Sequence, residues 1–227
     1  MATVLTWLGH GTWLIDTGPH RILLDPFLDE SPTAPVKADQ VEADTILVSH
    51  GHFDHVADLV SVAKRTGATV VACFEICQWV GQQGVEKTEP MNLGGGIDLP
   101  FGRVTMTRAD HSSGLPDGSY GGSAGGFKLH LADGVVYFAC DTALFADMQQ
   151  IGAGGLDLAV VPIGDRFTMG PAEAVEAIKL LKPRRAAPAH YNTWPPIEQD
   201  AAAWAERIRA ETASQPVVVE PGGQITL

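Results

Sequence analysis

The chain contains no apolar run approaching the eighteen or so residues that a membrane-spanning helix needs. Its start, Met1-Ala2-Thr3-Val4, lacks the basic stretch and long apolar segment of a secretory signal. Cysteine is scarce: Cys73, Cys77 and Cys140 cannot all pair, which suits a reducing compartment. Together these absences predict a cytoplasmic protein with no membrane partner. Positive charge is scarce too, with 15 Lys and Arg against 27 Asp and Glu, for a net charge of −12. No basic cluster exceeds Arg184-Arg185, so extended contact with a phosphate backbone is disfavoured and no nucleic acid is expected as a partner. The glycine-rich stretch 112–126 lacks the G-K-[ST] ending of a phosphate-binding loop and reads as a mobile loop. Cys73 and Cys77 stand one helical turn apart, but no second Cys/His pair completes a zinc site around them.

What is present fits one domain over residues 1–227. The chain is long enough to bury a large core, and 45 % hydrophobic with 19 % charged residues is ordinary globular composition. No linker or low-complexity segment interrupts it. Short apolar runs bounded by glycine, proline or aspartate read as strands over 4–8, 12–16, 21–25, 45–48, 69–73, 103–107, 127–131, 135–140, 156–163, 186–190 and 217–220. Helical periodicity begins at Val56 and recurs over 74–83, 171–181 and 197–211, while 29–44 reads as a surface loop. Periodicity alone gives α/β or α+β.

The most informative stretch is TILVSHGHFDHV, residues 45–56. A short buried strand runs into three histidines and one aspartate within the six positions His50 to His55. Histidine is the commonest side-chain metal ligand and aspartate adds a hard oxygen donor. Gly51 predicts a sharp turn that lets His50 and His52 point to one side. A strand end opening into a helix is where α/β proteins usually place their chemistry. His111, Asp141 and His190 each follow a strand in the same way, although each alone reads as a cap or turn residue.

The phrases WLGHGTWLI, ILLDPF, SHGHFDH, DHSSG, FACDTA, PIGDRFTMGP and PAHYNTWP, spread from Trp7 to Pro195, resemble the metallo-β-lactamase fold superfamily. The resemblance is closest to the small bacterial metal-dependent hydrolases related to the ascorbate 6-phosphate lactonases. It implies an αββα sandwich of two mixed sheets flanked by helices. It also implies two divalent metal ions, Zn²⁺ first with Mn²⁺ or Fe as alternatives. His50, His52 and His111 would hold one ion, Asp54, His55 and His190 the other, and Asp141 would bridge them. A hydroxide between two such ions, roughly 3.5–4 Å apart, would be the nucleophile at neutral pH.

The resulting expectation is a hydrolase acting on a small carbonyl- or phosphate-containing metabolite, a lactone or phosphoester. The alternatives are a mononuclear iron oxygenase on the same fold and a catalytically idle metal-binding protein. Asp141 stands where many true β-lactamases carry cysteine, which argues against antibiotic hydrolysis. A homo-oligomer is compatible with the sequence. Asp54 and His10 are the candidates for a direct part in catalysis, His10 from a Gly-flanked turn at the cavity rim. Asp25 reads equally as a turn residue before Pro26 or as the partner of a liganding histidine. Thr168, Tyr191 and Asp110 are weaker candidates beside other strand ends. Trp13 and Trp194 read as packing residues, and Cys140 is set aside because a strand would turn it away from Asp141.

Overall fold

The computed structural model describes residues 2–227. The first half supplies β1 (Val4–Trp7), β2 (Trp13–Asp16), β3 (Arg21–Leu24), β4 (Thr45–Leu47), β5 (Thr69–Cys73) and β6 (Thr88–Met91). The second half supplies β7 (Gly96–Leu99), β8 (Gly102–Arg108), β9 (Gly125–Leu131), β10 (Gly134–Phe138), β11 (Leu158–Pro162), β12 (Arg185–Ala189) and β13 (Gln215–Pro216). The last strand, β14 (Gln224–Thr226), returns to pair with β1. Two seven-stranded sheets result, in the orders β14-β1-β2-β3-β4-β5-β6 and β13-β12-β11-β10-β9-β8-β7. Each joins an antiparallel part to a parallel part: β3 to β6 run parallel in one sheet, and β10 to β13 in the other.

The inner faces meet in one apolar core. Trp13 and Phe138 bring ring centroids to 6.0 Å across the sheets, and both side chains are buried. Helix α3 (Phe74–Gln82) packs on β5 and β6, α5 (Pro171–Leu181) on β11, and α6 (Ala201–Glu211) on β13. Helix α5 follows its sequence pattern closely, with Pro171 in its first turn and Val175, Ile178 and Leu181 buried. Among the described residues, no helix is long and apolar enough to cross a membrane.

Several sequence expectations need correction. The helix expected from Val56 is broken into α1 (Phe53–Val56) and α2 (Leu59–Thr66). Asp58 sits at the break, where its carboxylate accepts Leu28 N–H and Asp29 N–H across the fold. A short helix, α4 (Met148–Ile151), fell outside the pattern. Residues 29–44 are more than a surface loop, because Val41 and Ala43 are buried and 38–40 form a helical turn. Helix α6 starts at Ala201, after its cap Asp200 accepts Ala203 N–H, and not at Ile197. The closing strand lies at 224–226 instead of 217–220. The 112–126 loop is closed by Gly121 N–H to Ser113 O, Leu115 N–H to Ser119 O and a Gly114–Tyr120 bridge.

The topology puts the ends of β3, β4, β8, β10 and β12 on one rim, and the close approach of backbones there is tight. A Cβ on Gly164, just past β11, would lie 2.2 Å from the carbonyl oxygen of His190. Gly164→Ala should therefore cost about 1–3 kcal/mol, as over-packing does. At roughly 2–4 °C per kcal/mol for a chain this long, a thermal melt should show a drop of several degrees. An unchanged melting temperature would contradict the tight register of β11 against the His190 turn.

Candidate metal centre

The strand ends on that rim, together with the end of β1, deliver polar side chains inward. His10 follows β1, Asp25 follows β3, His50 and His52 follow β4, His111 follows β8, Asp141 follows β10 and His190 follows β12. Helix α1 adds Asp54 and His55. His10, Asp25, Cys140 and His190 all take positive φ, between 46° and 54°, which turns the chain sharply as each strand stops. Such conformations are costly for residues other than glycine and persist only where surrounding structure imposes them. Gly51 is needed for a different reason from the one expected. Its φ is not positive; a Cβ there would sit 3.1 Å from Leu115, and its N–H donates to Ser113 Oγ at 3.0 Å.

The side chains form two adjoining groups. In the first, His50 Nε2 lies 3.0 Å and His111 Nε2 3.2 Å from His52 Nδ1. In the second, Asp54, His55, His190 and His10 offer ligand atoms all within 4.8 Å of one another. Asp141 Oδ2 stands between the groups: 3.0 Å from His190 Nε2, 3.4 Å from His55 Nε2, 3.7 Å from His111 Nε2 and 4.0 Å from His50 Nε2. The seven residues expected to gather from His50 to His190 are thus brought together.

Hydrogen bonds behind the cluster orient it. Asp25 is buried and accepts Ser49 N–H at 2.8 Å, Ser49 Oγ–H at 2.6 Å and His55 Nδ1–H at 2.9 Å. Asp25 thus both turns the chain before Pro26 and accepts from a ring nitrogen of His55. Ser49 Oγ also lies 2.9 Å from His50 Nδ1 and, with its proton on Asp25, accepts from that nitrogen. Both His50 and His55 therefore carry Nδ1–H outward and aim Nε2 at the cluster, the tautomer a metal requires. Ser49 was not singled out from the sequence, nor was Thr193, whose hydroxyl lies 2.7 Å from His10 Nδ1.

His10 is fully buried instead of lying at the rim. Its Nε2–H donates to Asp54 Oδ2 at 2.9 Å, and burial, helped by His190, pushes its pKa down to about 3, so the ring is neutral. Thr168 and Tyr191 are not drawn into the cluster: the Thr168 hydroxyl donates to Met169 O, and Tyr191 stacks on Trp7 at 5.3 Å. Asp110 accepts from Arg108 instead. Trp194 is only half-buried and lies edge-on to His10 at 5.0 Å, beside Phe27 and the exposed Phe53, so it borders the site. Cys140 has a positive φ, so the strand-alternation reason for setting it aside does not hold; Cys73 Sγ–H is spent on Gly121 O.

The donor set fits a cation. His55 Nε2 and both ring nitrogens of His190 are buried without an aligned hydrogen bond among the described residues, although Asp141 Oδ2 comes within 3.0 Å of His190 Nε2. Burial raises the Asp141 pKa, but His190 and His55 outweigh it and hold the carboxyl well below its usual range. In return, Asp141 overcomes the burial of those two rings, lifting His55 well above its ordinary value and His190 to about 9. Imidazoles and carboxylates this close suit a borderline divalent ion such as Zn²⁺.

Comparison with known proteins agrees with this geometry. A family model described as the beta-lactamase superfamily domain matches residues 20–191. The chain belongs to the metallo-β-lactamase superfamily. Within it, the chain is a member of the UPF0173 metal-dependent hydrolase family. It is 45 % identical to the member from Heliobacterium modesticaldum, covering 98 % of this chain and 97 % of that one. It is 46 % identical to the member from Thermus thermophilus, covering 97 % of each. Its fold matches Igni18, a metallo hydrolase from Ignicoccus hospitalis, with a TM-score of 0.91 at 31 % identity, covering 100 % of this chain and 99 % of that one.

A pH dependence follows from the raised histidines. A cation held by His55 and His190 would displace their protons, and the raised pKa of His190, about 9, opposes that at lower pH. Zn²⁺ affinity should therefore rise with pH up to that point, with protons released on binding. Calorimetry in buffers of different ionisation enthalpy reads both. Affinity constant between about pH 6.5 and 8.5, with no proton release, would contradict these protonation states.

Proposed function

We propose that this hydrolase holds two divalent ions, Zn²⁺ first, and cleaves an ester, lactone or phosphoester bond in a small metabolite. The observation that carries this reading is the single Asp141 oxygen within 4.0 Å of four imidazole nitrogens drawn from both groups. In it, His50, His52 and His111 hold one ion, Asp54, His55 and His190 hold the other, and Asp141 is shared. Two such ions supply a water of lowered pKa and Lewis acidity toward the oxygen under attack.

The chain's own residues do the rest. Asp25 and Ser49 fix the rings of His55 and His50. His10, itself held by Thr193, donates to Asp54 and keeps that carboxylate turned toward the cluster. His10 is thus a positioning residue for Asp54 more than a proton donor, since its ring is buried and both its nitrogens are engaged. Phe27, Phe53 and Trp194 form an apolar wall beside the site that limits water there. No serine or cysteine nucleophile is required.

The test is a panel of lactones, carboxylic esters and phosphoesters, assayed on Zn²⁺-loaded protein. Turnover of at least one class is expected, with Asp141→Asn folded, depleted in metal and inactive. His10→Ala should retain most of its metal, keep the fold and lose activity by about 10- to 100-fold, as outer-shell partners of ligands do. Full activity of Asp141→Asn would contradict the shared-carboxylate reading.

A further inference from the structure

A cavity beside the His190 turn takes in none of the clustered side chains of the candidate metal centre. It has a volume of about 960 Å³ and is lined by Trp7, Tyr191, Glu198, Asp200 and Glu220, among others, with no Lys or Arg. Trp7 and Tyr191 stack with their rings 20° from parallel and form its aromatic floor. Tyr191 is only 6 % exposed, and its hydroxyl makes no hydrogen bond with any described residue but is not sealed from solvent.

The carboxylates are not equivalent. Asp200 caps α6 by accepting Ala203 N–H, which offsets the positive end of that helix. Glu198 and Glu220 form no ion pair among the described residues and remain as free negative charges. A cavity with two free carboxylates and an unpartnered phenol hydroxyl, and without a cation of its own, is complementary to a donor-rich positive group. Carboxylates accept its N–H bonds, and the phenol oxygen takes another. We propose that this cavity is a second binding site, for a small organic cation of the alkylammonium or alkylguanidinium class.

The site is tied to the metal side through the backbone. Trp7 Nε1–H and His190 N–H both donate to the carbonyl oxygen of His10, at 3.0 and 3.1 Å, and Tyr191 directly follows His190.

Calorimetric titration of the metal-loaded protein with agmatine tests the site by binding alone, independently of any turnover. One saturable site per chain is expected, with no heat from 1-butanol as the uncharged control. A Glu198→Gln/Glu220→Gln double variant should bind agmatine at least tenfold more weakly while its melting temperature and metal content stay unchanged. Tyr191→Phe should weaken binding several-fold. A parallel titration with the blocked peptide acetyl-Gly-Arg-Gly-amide separates sources: tighter binding of the peptide assigns the cation to a polypeptide side chain, tighter binding of agmatine to a free metabolite. No saturable binding of either probe, unaltered affinity in the double variant, or equal binding of 1-butanol would overturn the proposal.

Discussion

The structure turns on one buried carboxylate. Asp141 is 4 % exposed and has four imidazole nitrogens within 4.0 Å of one of its oxygens. An unpaired buried charge would cost several kcal/mol, so the surroundings must supply positive charge, from protonated rings or from metal. Everything around it serves that demand. Asp25 and Ser49 on one side, and His10 with Thr193 on the other, hold the rings and Asp54 in orientations that converge on this centre.

Such convergence requires a stiff frame. The clustered side chains come from both sheets and from segments as far apart in sequence as His50 and His190, so only a close-packed interface between the sheets keeps them within a few ångströms. Trp13 against Phe138, the buried strand β4, the wholly apolar β11 and the buried Ala186 to Ala189 of β12 supply that rigidity. Part of the stability is offset at the rim, where His10, Asp25, Cys140 and His190 hold left-handed backbone conformations. Consistency elsewhere in the fold is what makes this local strain tolerable.

Much of this was legible in the sequence, and the reasons are local. The run from His50 to His55 announces itself because charge and imidazole density of that kind rarely follows an apolar strand without a metal to bind. His111, Asp141 and His190 were readable through their shared position after strands and through the family phrases around them. Ser49 and Thr193 were not, because a hydroxyl next to a histidine has no distinctive pattern, and its partner is chosen by tertiary contact. Trp194 reads as packing from the sequence because aromatic content alone does not say whether one ring edge faces a site. The break at Asp58 and the late start of α6 were missed for a related reason: long-range or capping hydrogen bonds overrode a helical periodicity that was locally sound. The cavity beside Tyr191 was invisible, since its walls come from four separate segments.

The central claim is that Asp141 is shared between two metal ions, one in each group of ligands. Anomalous X-ray scattering at the zinc edge, from crystals of the Zn²⁺-loaded protein, addresses it directly. Two peaks about 3.5–4 Å apart are expected, one bounded by His50, His52 and His111, the other by Asp54, His55 and His190, with Asp141 between them. A single peak, or two peaks of which only one contacts Asp141, would contradict the account.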